Sequence, residues 1–254
     1  MSIPERLYRY QRVTDHTLDN LSRRVIWFSA PASFNDPFDC ALQLWRPDRR
    51  DPHCAMSDVS SRRQIGPTLE ATAPTDEPAR RALMAALSCG VAAALDDIVE
   101  HNRQNRGAVC LSAIPTDILM WSHYADGHRG FCLEFDTSKH PFDRARQVRY
   151  TDEVPTVDPL DAADLGSMAD ILELMMLTKA ECWSYEHEWR LVHGVAGTAY
   201  CFEPSALTAV YLGSATSSDD EARIIRALDG LSVSLYRMVH NYRSFSISPE
   251  KIEL

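Results

Sequence analysis

Short apolar stretches alternate with single helical segments along this chain, and no regular βαβ rhythm links them. That alternation constrains the architecture more than any other feature. Leu7–Tyr10, Val25–Phe28, Ala108–Ser112, Gly130–Asp136, Gln147–Tyr150, Trp189–Val192, Ala199–Phe202, Ala209–Leu212 and Val233–Tyr236 are β-branched or aromatic and short enough for strands. Between them, Thr14 is placed to cap a helix reaching Arg24, and Thr116 one through Tyr124 that stops near Gly127. An Ala/Leu-rich helix is expected over about 78–104. Another over about 160–180 carries Met168, Ile171, Leu172, Met175 and Lys179 at helical spacing. Ser218 with Glu221 forms a capping-box pattern opening a helix through Leu228. The pattern predicts an α+β fold, with a mixed or antiparallel sheet core and flanking helices. Residues 46–80, rich in Pro, Asp, Ser and Arg, read as an exposed insertion in a single domain spanning 1–254.

Charge narrows the partners. With 26 basic against 36 acidic residues the net charge is −10, which argues against non-specific nucleic-acid or anionic-membrane binding. The 7 cysteines include no Cys-x-x-Cys pair, so neither a zinc knuckle nor a redox dithiol is suggested. No N-terminal signal core and no uninterrupted apolar run of membrane-spanning length is present, so a reducing cytoplasm is the expected compartment. Gly-x-Gly-x-x-Gly, Walker A, Gly-x-Ser-x-Gly and His-Glu-x-x-His motifs are all missing. A nucleotide, if bound, needs another scaffold.

The densest chemistry lies in Trp183–Val192. Glu186 and Glu188 stand two apart, with Trp183, Tyr185 and Trp189 around them. In an extended segment both carboxylates face one side, fit to stabilise a developing cation and activate an attacking group. The same residues also suit an edge strand with solvated glutamates, one paired with Arg190. In Trp121–Arg129, His123, Asp126 and His128 offer metal-type ligands, but Gly127 breaks the helix between them. Trp121 and Tyr124 alternatively form a stacking surface, or the segment is a helix end packed on the sheet. In the Ser33–Asp39 loop, Asn35, Asp36 and Asp39 suit either turn chemistry or a cleft rim.

Leu7–Tyr10, Phe28–Asp39, Met120–Asp136 and Trp183–Arg190 together resemble an uncharacterised bacterial family, domain of unknown function 2971. That resemblance supplies no activity. At the level of feature order, the chain is also similar to ADP-ribosyltransferase folds, including DNA-modifying toxins. Such folds hold NAD with an arginine or histidine on the first core strand. A serine or aromatic ends their second core strand, and a catalytic glutamate follows on a later strand, often with Glu or Gln two residues before it. The resemblance implies Arg9 and Ser112 as NAD contacts, with Ser29 competing for the serine role. Glu188 becomes the catalytic carboxylate and Glu186 its partner. Tyr8, Tyr10, Trp121, His123 and Tyr124 are further candidates at the NAD site. It implies an NAD-dependent transferase, a toxin or antiphage effector acting on an unidentified acceptor. A metal-dependent nuclease or hydrolase using Asp36, Asp39, Glu134, Asp136, His123 and His128 remains the alternative, as does a non-catalytic recognition module of a defence system.

Overall fold

A computed structural model describes residues 2–44, 74–157 and 165–253. The expected insertion falls largely outside the described residues. The chain divides into two compact units. One comprises Met1–Asp39, Gln104–Asp152 and Leu177–Leu254; the other comprises Cys40–Arg103 and Glu153–Met176.

The first unit is built on an eight-stranded sheet. Its strand order is Ser246–Ile252, Ser234–Asn241, Leu207–Leu212, Phe131–Asp136, Arg6–Gln11, Gly107–Ser112, Glu188–His193 and Arg146–Gln147. All neighbours run antiparallel except Leu207–Leu212 against Ser234–Asn241, which is parallel. The sheet is therefore mixed but mostly antiparallel, as its sequence predicts. The sequence carries no clear signal for the strand Ser246–Ile252. Its Pro249 and alternating charges weaken the strand signal, and an edge position tolerates both.

Alternation along the strands sorts the two faces. Leu7, Val109, Leu111, Leu133, Phe135, Trp189 and Leu191 point into one core, covered by Leu21, Ile26, Phe28, Ile224 and Leu228. Tyr10, Cys132, Tyr211, Met238 and Ile247 point the other way, onto Met120 and Trp121. Each fully buried apolar side chain contributes about 1.5–3 kcal/mol, so both layers hold the sheet in place.

The helix boundaries follow local chemistry. Thr14 caps Asp15–Ser22 by accepting from the Thr17 amide, and its own amide donates in return to the Thr17 hydroxyl. Two expected caps are displaced by one residue. Asp117, not Thr116, accepts from the Leu119 and Met120 amides to open Ile118–Tyr124. Ser217, not Ser218, accepts from Asp220 to open Ser218–Ala227. In each case the residue immediately before the first helical turn has the extended backbone a cap requires.

One feature of the sheet creates the site. Arg6–Gln11 pairs with Phe131–Asp136 over six residues, and Gly107–Ser112 pairs with Glu188–His193 over six. Between these halves the register holds at one pair alone, Tyr8 opposite Ser112. At the other end of the gap Ser29 bridges Ala108 through two backbone hydrogen bonds. The strands between these two rungs border a cavity instead of each other.

In the second unit, Leu44, Ala92, Leu95 and Ile171 form a small core, and Gln43–Leu44 pairs in parallel with Thr156–Val157. The helix expected over 160–180 is described over Leu165–Met176. Lys179 lies beyond it, on the strand Thr178–Ala180, which pairs with Arg149–Thr151 in the first unit. The helix Glu77–Asn105 is the one described helix long and apolar enough to cross a membrane by length and composition, although Asp96 and Asp97 interrupt its apolar run.

Candidate functional site

The gap in the sheet opens into a cavity of about 440 Å³, within the size range of small-molecule sites. Arg9, Tyr8 and Tyr10 from the first strand, Cys110 and Ser112 from its separated neighbour, and Glu186 and Glu188 all line it. His123 and Tyr124 close one side, and Phe34, Asn35 and Asp39 contribute from the Pro-rich loop.

Glu186 and Glu188 meet here by a route other than the one the sequence suggested. Only Glu188 is on the strand. Glu186 ends a 3₁₀ helix, Glu181–Glu186, and His187 between them takes a left-handed conformation with φ 44°. Lys179 draws the carboxylates together, donating to Glu186 Oε2 at 2.5 Å and to Glu188 Oε2 at 3.1 Å. Arg190 donates from Nε to Glu188 Oε1 at 2.6 Å and from Nη2 to Asp39 Oδ2 at 2.8 Å. Tyr124 donates its hydroxyl to Glu186 Oε1 at 2.5 Å. All five charged groups are almost fully buried, Arg190 completely so.

The environments of the two glutamates push their acidities apart. Burial raises both. At Glu188 the adjacent Arg190 and Lys179 outweigh burial and hold the carboxyl at about 2. At Glu186 burial prevails over Lys179, with the Glu188 charge adding to it, so its carboxyl titrates above the ordinary range. Two neighbouring carboxyls held apart in this way suit one fixed anion and one proton carrier.

The depressed Glu188 value has a stability consequence with a definite sign. Its contribution is fully present above the ordinary glutamate value of 4.5 and is lost as pH falls toward 2. The acidic limb of a urea-unfolding profile is expected to steepen in that window, by on the order of 3 kcal/mol from this one group. Glu186 acts oppositely, since ionising it costs stability as pH rises through its raised value. A Glu188→Gln protein that keeps the full acidic limb contradicts this assignment.

Arg9 differs from Arg190. It lines the cavity half-buried, and its one hydrogen bond is a long donation to the Trp27 carbonyl at 3.3 Å. Among the described residues no carboxylate pairs with it. Burial lowers its guanidinium to about 10, which leaves it cationic at neutral pH. A partly desolvated guanidinium without an acidic partner is suited to an anionic ligand.

Several expected residues hold other positions. Ser112 reaches the cavity wall, but its hydroxyl donates to the Glu186 carbonyl at 2.7 Å and accepts from the Ile114 amide at 3.2 Å. It braces the turn carrying the glutamates. Ser29 lines the same cavity. Tyr10 is present, its hydroxyl tied to the Ile114 carbonyl at 2.8 Å. Trp121 is 0% exposed, donates to the Pro115 carbonyl and packs edge-on against Tyr10, so it belongs to the core and offers no stacking surface. Trp189 likewise faces the core, leaving Trp183 near Lys179 and Tyr185 near His123 as the aromatic neighbours.

Asp39, Lys179 and Arg190 complete the site, and no sequence pattern joins the three. The 151 residues separating Asp39 from Arg190 leave no local signal of their pairing. Among the described residues no group of three or more His, Cys, Asp or Glu is arranged to hold a metal ion. Glu134 accepts instead from Thr208 and Tyr211, both at 2.6 Å.

Residues 120–191 match the family described as a protein of unknown function (DUF2971), which bears out the family resemblance over that stretch. No curated protein and no solved structure matches the chain.

Proposed function

We propose that the protein is an NAD-dependent ADP-ribosyltransferase-like enzyme, with the cavity in the split sheet as its active site. One observation carries this reading: Arg9, Ser112, Glu186 and Glu188, from distant parts of the chain, border a single cavity. Arg9 lies on the first strand, Ser112 ends the next strand of the sheet in chain order, and Glu188 opens a later one. That order is the one the ADP-ribosyltransferase resemblance calls for.

In this reading Arg9 takes the pyrophosphate by charge-assisted hydrogen bonds. Tyr8 and Phe34 supply apolar wall against the flat rings. The bond between ribose C1′ and the nicotinamide nitrogen breaks, and the electron pair leaves with nicotinamide. Positive charge develops on the sugar, as in glycoside cleavage. Glu188, ionised at any physiological pH, stabilises that charge from a preorganised position. Glu186 takes the acceptor's proton as the new bond to C1′ forms.

The test is release of nicotinamide from NAD by the purified protein, followed chromatographically, alongside NAD binding by calorimetry. Arg9→Ala is expected to weaken NAD binding about 10- to 100-fold, the loss of one charge-assisted contact. Absence of both binding and release sinks the proposal. A second reading, a non-catalytic recognition module, is favoured by the ion pairing of every carboxylate in the cavity. It predicts ligand binding without nicotinamide release.

A further inference from the structure

We infer that the acceptor this site modifies is a neutral hydroxyl, amide or ring N–H group, and not a guanidinium or an amine. This rests on the transferase reading and specifies the other half of its reaction. The reason is the arrangement of charge around the cavity. Three carboxylates border it, Asp39, Glu186 and Glu188, and each already has a cationic partner. Lys179 lies 2.5 Å from Glu186, 3.1 Å from Glu188 and 3.4 Å from Asp39. Arg190 holds the remaining oxygen of Glu188 at 2.6 Å and also grips Asp39 at 2.8 Å. Arg9 and Arg12 bring further positive charge to the wall.

A cationic acceptor needs an uncommitted carboxylate at the reacting end, both to desolvate and to orient it. Here it would meet Lys179 and lie beside the positive charge forming on the sugar. Introducing a buried charge without a partner is strongly unfavourable. A neutral acceptor carries no such penalty. It needs an acceptor oxygen for its proton, which Glu186 provides, and neutral hydrogen-bonding groups to orient it. Asn35 and Tyr124 are at hand, Asn35 donating to the Tyr124 hydroxyl at 3.2 Å. The overall step balances: NAD and the acceptor X–H yield ADP-ribosyl–X, nicotinamide and a proton that passes through Glu186.

The experiment uses the full chain with NAD and measures nicotinamide release and adduct mass in parallel. The probes are agmatine for the guanidinium class, and guanosine, acetyl-asparagine amide and methanol for the neutral classes, each in large excess over water-only controls. Agmatine is expected to change the release rate by less than about twofold and to yield no adduct. ADP-ribose is expected on at least one neutral probe or on water, which is itself a neutral acceptor. An agmatine adduct accompanied by faster release overturns the inference while leaving the transferase reading intact. No release under any condition, water included, overturns that reading and this inference with it.

Discussion

Replacing Arg190 with alanine is expected to destabilise the protein by about 3–5 kcal/mol, the cost of taking from two buried carboxylates one of their two cationic partners. Arg190 is 0% exposed, and its guanidinium joins Glu188 to Asp39 while lying 5.5 Å from the Phe34 ring. Alanine leaves Glu188 and Asp39 to share Lys179 alone and opens a void between the strand and the Pro-rich loop. Arg190→Lys keeps the charge but loses the fork that reaches both carboxylates at once, so an intermediate loss is expected. Urea unfolding followed by circular dichroism measures both. A loss below about 1 kcal/mol for the alanine protein shows that the network is solvated and contributes as little as a surface pair.

The second large effect concerns chemistry and not stability. Glu186→Gln keeps the length and shape of the side chain; its amide oxygen can still accept from Lys179 while its NH2 donates to the Tyr124 hydroxyl, so the fold is expected to persist. It removes the group proposed to take the acceptor's proton. A fall of about 10²- to 10⁴-fold in kcat is expected, with little change in KM for NAD, because general-base loss acts on the reacting step. Transferase activity that survives this substitution assigns the proton to another group. His123, which lines the same cavity, is then the next to replace.

Much of this was legible in the chain, for identifiable reasons. Leu7–Tyr10, Val25–Phe28 and Ala108–Ser112 read as strands because β-branched and aromatic residues stand in short runs between helical segments. Glu186 and Glu188 stand out in the sequence as two carboxylates amid aromatics, but strand alternation alone does not account for their convergence. A regular strand places i and i+2 on one face, whereas here a left-handed His187 and the bridging Lys179 bring them together. Lys179 continues the helical spacing of Ile171 and Met175 in the sequence, but the helix stops at Met176 and Lys179 falls on a strand. For Trp121 the sequence allows a stacking surface or a helix end packed on the sheet, and the packed arrangement holds. Which side of a short helix packs on a sheet is decided by the tertiary partner, here Tyr10. The linkage of Asp39 to Arg190 joins residues 151 apart in the chain, and no local pattern announces such a pair.

The lone rung between Tyr8 and Ser112 has a consequence for how the cavity can be dissected. A seam in a sheet exposes two interior edges whose main-chain amides and carbonyls are shielded from other chains but remain open to a guest molecule. Such atoms survive every side-chain substitution. Alanine scanning around this seam will therefore understate what it contributes to recognition, and amide-to-ester replacement along residues 9–11 and 109–111 is the more direct probe.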